Sequence, residues 1–292
     1  MPYSSPTFIF GTAWVLLPLL AFGFAEARLV SELEKIPLVI RLLLPSLFGI
    51  PYIVIARSTG ILRPDWILCY CLVPILIAVL LHHAKQLDPE NKGDWRDCAI
   101  LLLIGLAVDL RWLEPAWPPH TSVFGKMILL DTGIYGFSVI RRLDGVGFDL
   151  RIRKQDLSAG LRELAFYAPI ALPIGLLLGF LHVRPQVPRF GSAAFAWIFT
   201  FVLIAIPEEV FFRGWIQNLL ERRIGRTTAL IVTALLFGLA HFNKRSTHFN
   251  WQYVVLASLA GIFYGRAWRQ NRRIAASSIT HATVDAIWSI WL

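Results

Sequence analysis

Charge is scarce in this chain. Asp, Glu, Lys and Arg make up only 16% of its 292 residues, against about 25% in soluble domains. Together with 56% hydrophobic residues and a mean hydropathy of +0.60, this excludes an ordinary soluble domain and points to a membrane protein. Cysteine is scarce too. Cys69, Cys71 and Cys98 build neither a disulfide framework nor a zinc cluster. The first two lie in an apolar run and read as lipid-facing or packed thiols. The opening MPYSSPTF lacks the positive n-region of a cleaved signal, so the apolar run behind it reads as a retained first span. No internal repeat and no HExxH zinc motif are present. Nor is there a basic face with aromatic platforms on a soluble module, which nucleic-acid binding needs. The net charge of +9 therefore reads as topology, with Lys and Arg held in cytoplasmic loops.

What the chain has in quantity is apolar runs. A helix needs ~20 mostly apolar residues to cross a bilayer. Good candidates are residues 8–25, 37–56, 66–82, 163–181, 193–212, 228–242, 253–268 and 274–292. Residues 99–113 and 127–140 are weaker, because they are short and carry Asp109 and Asp131; they read as short, tilted or re-entrant. The expectation is an all-α, polytopic membrane helix bundle of eight to ten transmembrane helices, embedded in the lipid bilayer. Its regions are an N-terminal transmembrane part (1–140), a basic surface loop (141–163) and a C-terminal core (164–292). Lys and Arg in the loops of the C-terminal half run six, two, three, two, four. That alternation fits five single-pass helices with the C-terminus outside the cytoplasm.

A carboxylate in the bilayer costs several kcal/mol, roughly 2.5 or more at its centre, and persists where it is paired, faces a cavity or functions. Three of the last four apolar helices carry polar residues at helical spacing. In IPEEVFFRGW, Glu209 and Arg213 stand one turn apart and can pair, while Glu208 points about 100° away. Pro207 removes a backbone hydrogen bond just before them. FGLAH supplies Phe237 and His241, and HATVD supplies His281 and Asp285. The polar turn ERRIGRT is centred near Ile224 and Gly225. Glu208 and His241 are equally far from it in sequence, so an antiparallel hairpin places both ~24 Å from the turn, at equal depth.

Such a set suits water activation. An unpaired buried carboxylate is a competent base, a histidine beside it can orient the water, and a second histidine, held by Asp285, can face a developing oxyanion. The plainer readings are a register-fixing Glu209–Arg213 ion pair, a packing histidine at His281 and core packing at Phe237. His82, His83, His120, His182 and His248 read as interfacial, and the tryptophans as an aromatic belt. Small residues Ala257, Gly261 and Gly265 allow close helix packing, expected to admit the His281 helix; GLLLG (Gly175–Gly179) is expected to act in the same way.

The three motifs, EEVFFR, FGLAH and HATVD, in that order, make the stretch from Glu163 to Leu292 resemble the CPBP family of CAAX prenyl proteases and bacteriocin-processing proteins, also called the ABI family. The resemblance implies an intramembrane endopeptidase of a bacterial plasma membrane, acting on a membrane-anchored protein or peptide. By position, Glu208 and His241 would activate water, Glu209 and Arg213 would shape the site, and His281 and Asp285 would form its oxyanion side. Prenyl-protein proteases typically carry Asn where this chain has Asp285, and an ionised carboxylate cannot donate a hydrogen bond. No cofactor is expected; were the site metal-dependent, a divalent ion would fall to Glu208, His241 and His281. Two other classes compete: a non-catalytic membrane scaffold or immunity protein, and an ion or proton pathway. A transporter would spread carboxylates over both halves, and here they are expected to cluster in one.

Overall fold

A computed structural model describes residues 5–183, 189–244 and 248–291. Arg184 and Arg245, counted in the loop charges, and Leu292, the end of the last expected span, lie outside them. The described residues form ten helices and no strand. They are α1 Pro6–Glu34, α2 Leu38–Ser58, α3 Pro64–Leu87, α4 Trp95–Asp109, α5 Val123–Arg141, α6 Lys154–Leu177, α7 Phe190–Ile224, α8 Arg226–Leu239, α9 Trp251–Asn271 and α10 Ile274–Trp291. By length and composition, α1, α2, α3, α5, α6 and α7 can cross a membrane, and α8 is a shorter apolar helix. The last two are long enough, but their sequences are diluted by Arg266, Arg269 and Gln270 in α9 and by Ser277, Ser278, Thr280, His281 and Asp285 in α10.

The chain divides into two compact units, Met1–Asp144 and Gly145–Leu292. In the first, α5 is buried along nearly its whole length. Tyr52 stacks on Tyr70 with centroids 5.0 Å apart, and Trp117 donates its indole N–H to the Tyr70 hydroxyl at 2.5 Å. α4 starts at a capping box, where Asp94 accepts from the Arg96 N–H and Asp97 from the Asp94 N–H, satisfying donors that a helix start leaves orphaned. Asp97 also accepts from the buried Arg141 guanidinium, which reaches Asp88 and Asn91 as well.

That cluster corrects two expectations. Arg141 ends α5 fully buried, so it is no surface-loop charge. Buried carboxylates are not confined to the C-terminal half either, because Asp97 and Asp131 are buried in the first unit.

In the second unit, the polar stretch 141–163 is not loop throughout. Helix α6 starts at Lys154, because Asp156 at its third position accepts from the Arg153 N–H at 2.8 Å. Asp156 and Asp149 also take the Arg273 guanidinium, at 2.7 and 2.9 Å. Backbone bonds add to this: the Ile274 N–H donates to the Gly147 carbonyl at 2.9 Å, and the Trp268 indole to the Val146 carbonyl at 3.0 Å. The start of α10 is thus clamped by the segment that opens this unit. Gly147 must be glycine there. Its φ is +73°, and a Cβ would sit 1.7 Å from the Arg272 carbonyl oxygen.

Helix packing also departs from the sequence reading. The small-residue stripe of α9 faces α8 and α7: a Cβ on Gly261 would meet Ala234 at 2.9 Å, and one on Gly265 would meet Leu230 and Gln217. The close approach to α10 is made by Gly160 of α6, against the Ala276 carbonyl and Ile279. GLLLG is a helix end rather than a packing motif. Gly179 has φ +66°, the Gly179 N–H bonds the Leu176 carbonyl, and the Phe180 N–H bonds Gly175, the left-handed close of a helix C-terminus.

Candidate active site

The site is built from α7, α8, α9 and α10. In α7, π-type turns at Phe201–Ala205 and Val210–Gln217 flank Ile206–Glu209. Pro207 has no N–H to give the helix ladder, and wide turns of this kind re-aim side chains at functional positions. Gly225, at φ +78°, turns the chain into α8 where the hairpin was expected. His241 lies just past the end of α8, its N–H bonded to the Gly238 carbonyl at 2.9 Å.

Arg213 is fully buried. It donates to Glu209 Oε1 at 3.0 Å and to the Gly261 carbonyl at 2.9 Å, with its guanidinium 4.6 Å from the Phe237 centroid and 5.4 Å from that of Tyr264. The same Glu209 oxygen holds His281 Nδ1 at 2.8 Å. This corrects the expected pairing: Glu209 from a neighbouring helix, not Asp285 on α10, makes the short bond to His281. The other ring nitrogen, Nε2, faces Asp285 at 3.6 Å and Glu208 at 3.9 Å. The ring is further fixed by stacking on Tyr264, with centroids 4.6 Å apart and planes at 17°, and by the edge contact with Phe237.

Glu208 retains 25% side-chain exposure, while Glu209 is fully enclosed. Its nearest cation is Lys244, at 3.6 Å. His241 and His281 are also among its electrostatic neighbours. His241 Nδ1 lies 2.7 Å from the Phe237 carbonyl. A carbonyl only accepts, so Nδ1 carries the proton and Nε2 keeps a lone pair. Tyr253 packs on the His241 ring at 4.7 Å.

All six expected residues therefore come into one neighbourhood, with Asp285 the most loosely held. Three carboxylates meet two fixed cations, Arg213 and Lys244, and one proton on His281 makes the group neutral. Among the described residues, Glu208 Oε2, Glu209 Oε2 and Arg213 Nε have no hydrogen-bond partner. Beside the polar group lies a cavity of about 120 Å³, lined by His241, His281 and Asp285 together with Tyr167, Tyr253 and Trp288.

Among the described residues, no three His, Cys, Asp or Glu side chains gather as a ligand group. As placed, Glu208, His241 and His281 do not gather as a metal-ligand group.

Sequence reasoning missed four contributors. Lys244 was counted only as a loop charge. Tyr253, Tyr264 and the Gly261 carbonyl sit on a helix read only as a close-packing neighbour of the His281 helix. A usable signal existed for Lys244, one turn beyond His241.

Residues 190–287 match the family model described as type II CAAX prenyl endopeptidase, Rce1-like. This segment is like a CAAX protease. It spans about a third of the chain and contains Glu208, Glu209, Arg213, His241, His281 and Asp285. No curated protein and no solved structure is significantly similar to the chain. The match supports a CAAX-type intramembrane protease, and apolar helices long enough to span a membrane accord with an integral membrane protein.

Proposed function

We propose that the chain is an intramembrane endopeptidase that hydrolyses a peptide bond in a membrane-anchored protein or peptide. Glu208 serves as the base. Two carboxylates of the group are neither locked to Arg213 nor closed to solvent, Glu208 and Asp285. Glu208 is the one that neighbours both His241 and Lys244, and this observation carries the reading.

The step follows from the donors and acceptors present. A water held between the Glu208 carboxylate and His241 Nε2 gives a proton to Glu208 as its oxygen attacks the scissile carbonyl carbon. The carbonyl oxygen takes the negative charge. A protonated His281, aimed by Glu209 through Nδ1, stabilises it from Nε2. Glu208 then passes the proton to the leaving amine, and the C–N bond breaks. Asp285, 3.6 Å from Nε2, adds negative charge that favours the protonated His281 rather than donating, since an ionised carboxylate has no proton to give. The apolar cavity receives the substrate's hydrophobic portion beside the scissile bond.

The test is cleavage of a membrane-anchored peptide by the full-length protein in lipid nanodiscs. Wild type should release product, and His241→Ala should be slower by ~100-fold or more. Equal rates in the two would remove His241 from the reaction. A wild type inert toward lipidated and unlipidated peptides alike would favour a scaffold.

A further inference from the structure

A second polar site lies in the first unit, far from the catalytic group in sequence. A pocket of about 330 Å³ is lined by Leu38 and Arg41 of α2, His82, Lys85 and Gln86 of α3, and Pro89 and Ile140. Its charged lining is all basic. Lys85 has Arg41 and Arg141 as its electrostatic neighbours, and His82 has His83, Lys85 and Arg41. The nearby acidic groups are already committed, because Asp88 and Asp97 bond the Arg141 guanidinium. Among the described residues Arg41 and Lys85 form no ion pair, and Arg41 Nε is buried with no hydrogen-bond partner. Folded proteins leave few buried donors in that condition.

Position narrows the ligand. Arg41 is in the first turn of α2, and Lys85 in the last turn of α3. The pocket therefore opens at span ends, at the depth of lipid headgroups, where basic side chains meet anionic lipid. The rest of its lining includes apolar Leu38, Pro89 and Ile140. Guanidinium and ammonium groups in such a lining suit a phosphate carried on an acyl chain.

We propose that this pocket binds the phosphate of an anionic phospholipid, with Arg41 and Lys85 as its cationic ligands and His82 and Gln86 completing the polar rim. The site is independent of the peptidase reading, and its test does not use cleavage.

The experiment is thermal melting of the detergent-solubilised full chain with dioctanoyl phosphatidate, dioctanoyl phosphatidylcholine or inorganic phosphate. Phosphatidate should raise the midpoint by about 2–4 °C near saturation, and phosphatidylcholine should not. The double variant Arg41→Gln/Lys85→Gln should bind phosphatidate at least about tenfold more weakly. Lys85→Arg should keep the response, as should Arg57→Gln, an exposed basic control at the other end of α2. If the double variant fails to fold, the single Lys85→Gln carries the comparison. No shift with phosphatidate, or an equal shift in the glutamine variants, overturns the site. An equal shift with inorganic phosphate overturns the lipid and assigns the pocket to a soluble phosphate.

Discussion

Each unit of the chain buries an arginine completely, and the two are used differently. Arg141 in the first unit is saturated. Its nitrogens bond Asp97, Asp88 and Asn91, and two carboxylates neutralise it. Arg213 in the second unit has one carboxylate, Glu209, and shares that carboxylate with His281. It is held otherwise by a backbone carbonyl and aromatic faces, and among the described residues its Nε has no hydrogen-bond partner. A buried ion cluster that closes on itself is a structural clamp. One that leaves bonding capacity beside a half-open carboxylate and a cavity is a site. What distinguishes them is not burial or charge but which groups are left over.

Arg141→Ala should break the clamp most visibly. It strands Asp97 and leaves Asp88 uncompensated, so stability should fall by about 3–5 kcal/mol, measured by denaturant or thermal unfolding in detergent. The surviving folded fraction should cleave at the wild-type rate per molecule. A loss below about 1 kcal/mol would show that the cluster is not a clamp.

Glu209→Gln should affect the other side of the contrast. The amide can still accept from Arg213 and His281, so the fold should hold, but the charge that favours a protonated His281 is gone. We expect kcat to fall by ~10–100-fold, as when partners that orient a histidine are removed, with KM little changed. A large drop in melting midpoint at unchanged kcat would make Arg213 a second clamp.

A smaller effect concerns the Arg273 clamp beneath α10. Burial alone would raise the Asp149 pKa, but Arg151 and Arg273 outweigh it and hold the carboxyl well below the usual carboxylate range. Its stabilisation is therefore complete above the unfolded value of about 4 and declines as pH falls below it. Asp149→Asn should cost about 1–2 kcal/mol at pH 7, and the gap to wild type should narrow on acidification below pH ~4. A gap that widened on acidification would contradict the assignment.

The local part of this picture was legible in the sequence. Spacing of four residues pointed to the Glu209–Arg213 pair, and equal spacing on either side of the Ile224–Gly225 turn pointed to Glu208 and His241 lying at one depth. The misread features are those decided by partners distant in sequence. Whether Glu209 or Asp285 holds His281 depends on how α7 lies against α10, which no spacing within α10 reveals. The stripe at Ala257, Gly261 and Gly265 shows that α9 packs closely, but not against which neighbour. Arg141 looked like loop charge because Asp88 and Asp97, which bury it, lie more than 40 residues away in sequence.

The central claim is that Glu208, the half-open carboxylate beside His241 and Lys244, is the base. The direct measurement is the cleavage rate of a membrane-anchored peptide by Glu208→Gln, at a temperature where its melting curve shows it folded. The account predicts a rate at least ~100-fold below wild type. A rate within about threefold of wild type, well short of the ~100-fold or greater loss expected on removing a general base, would contradict it.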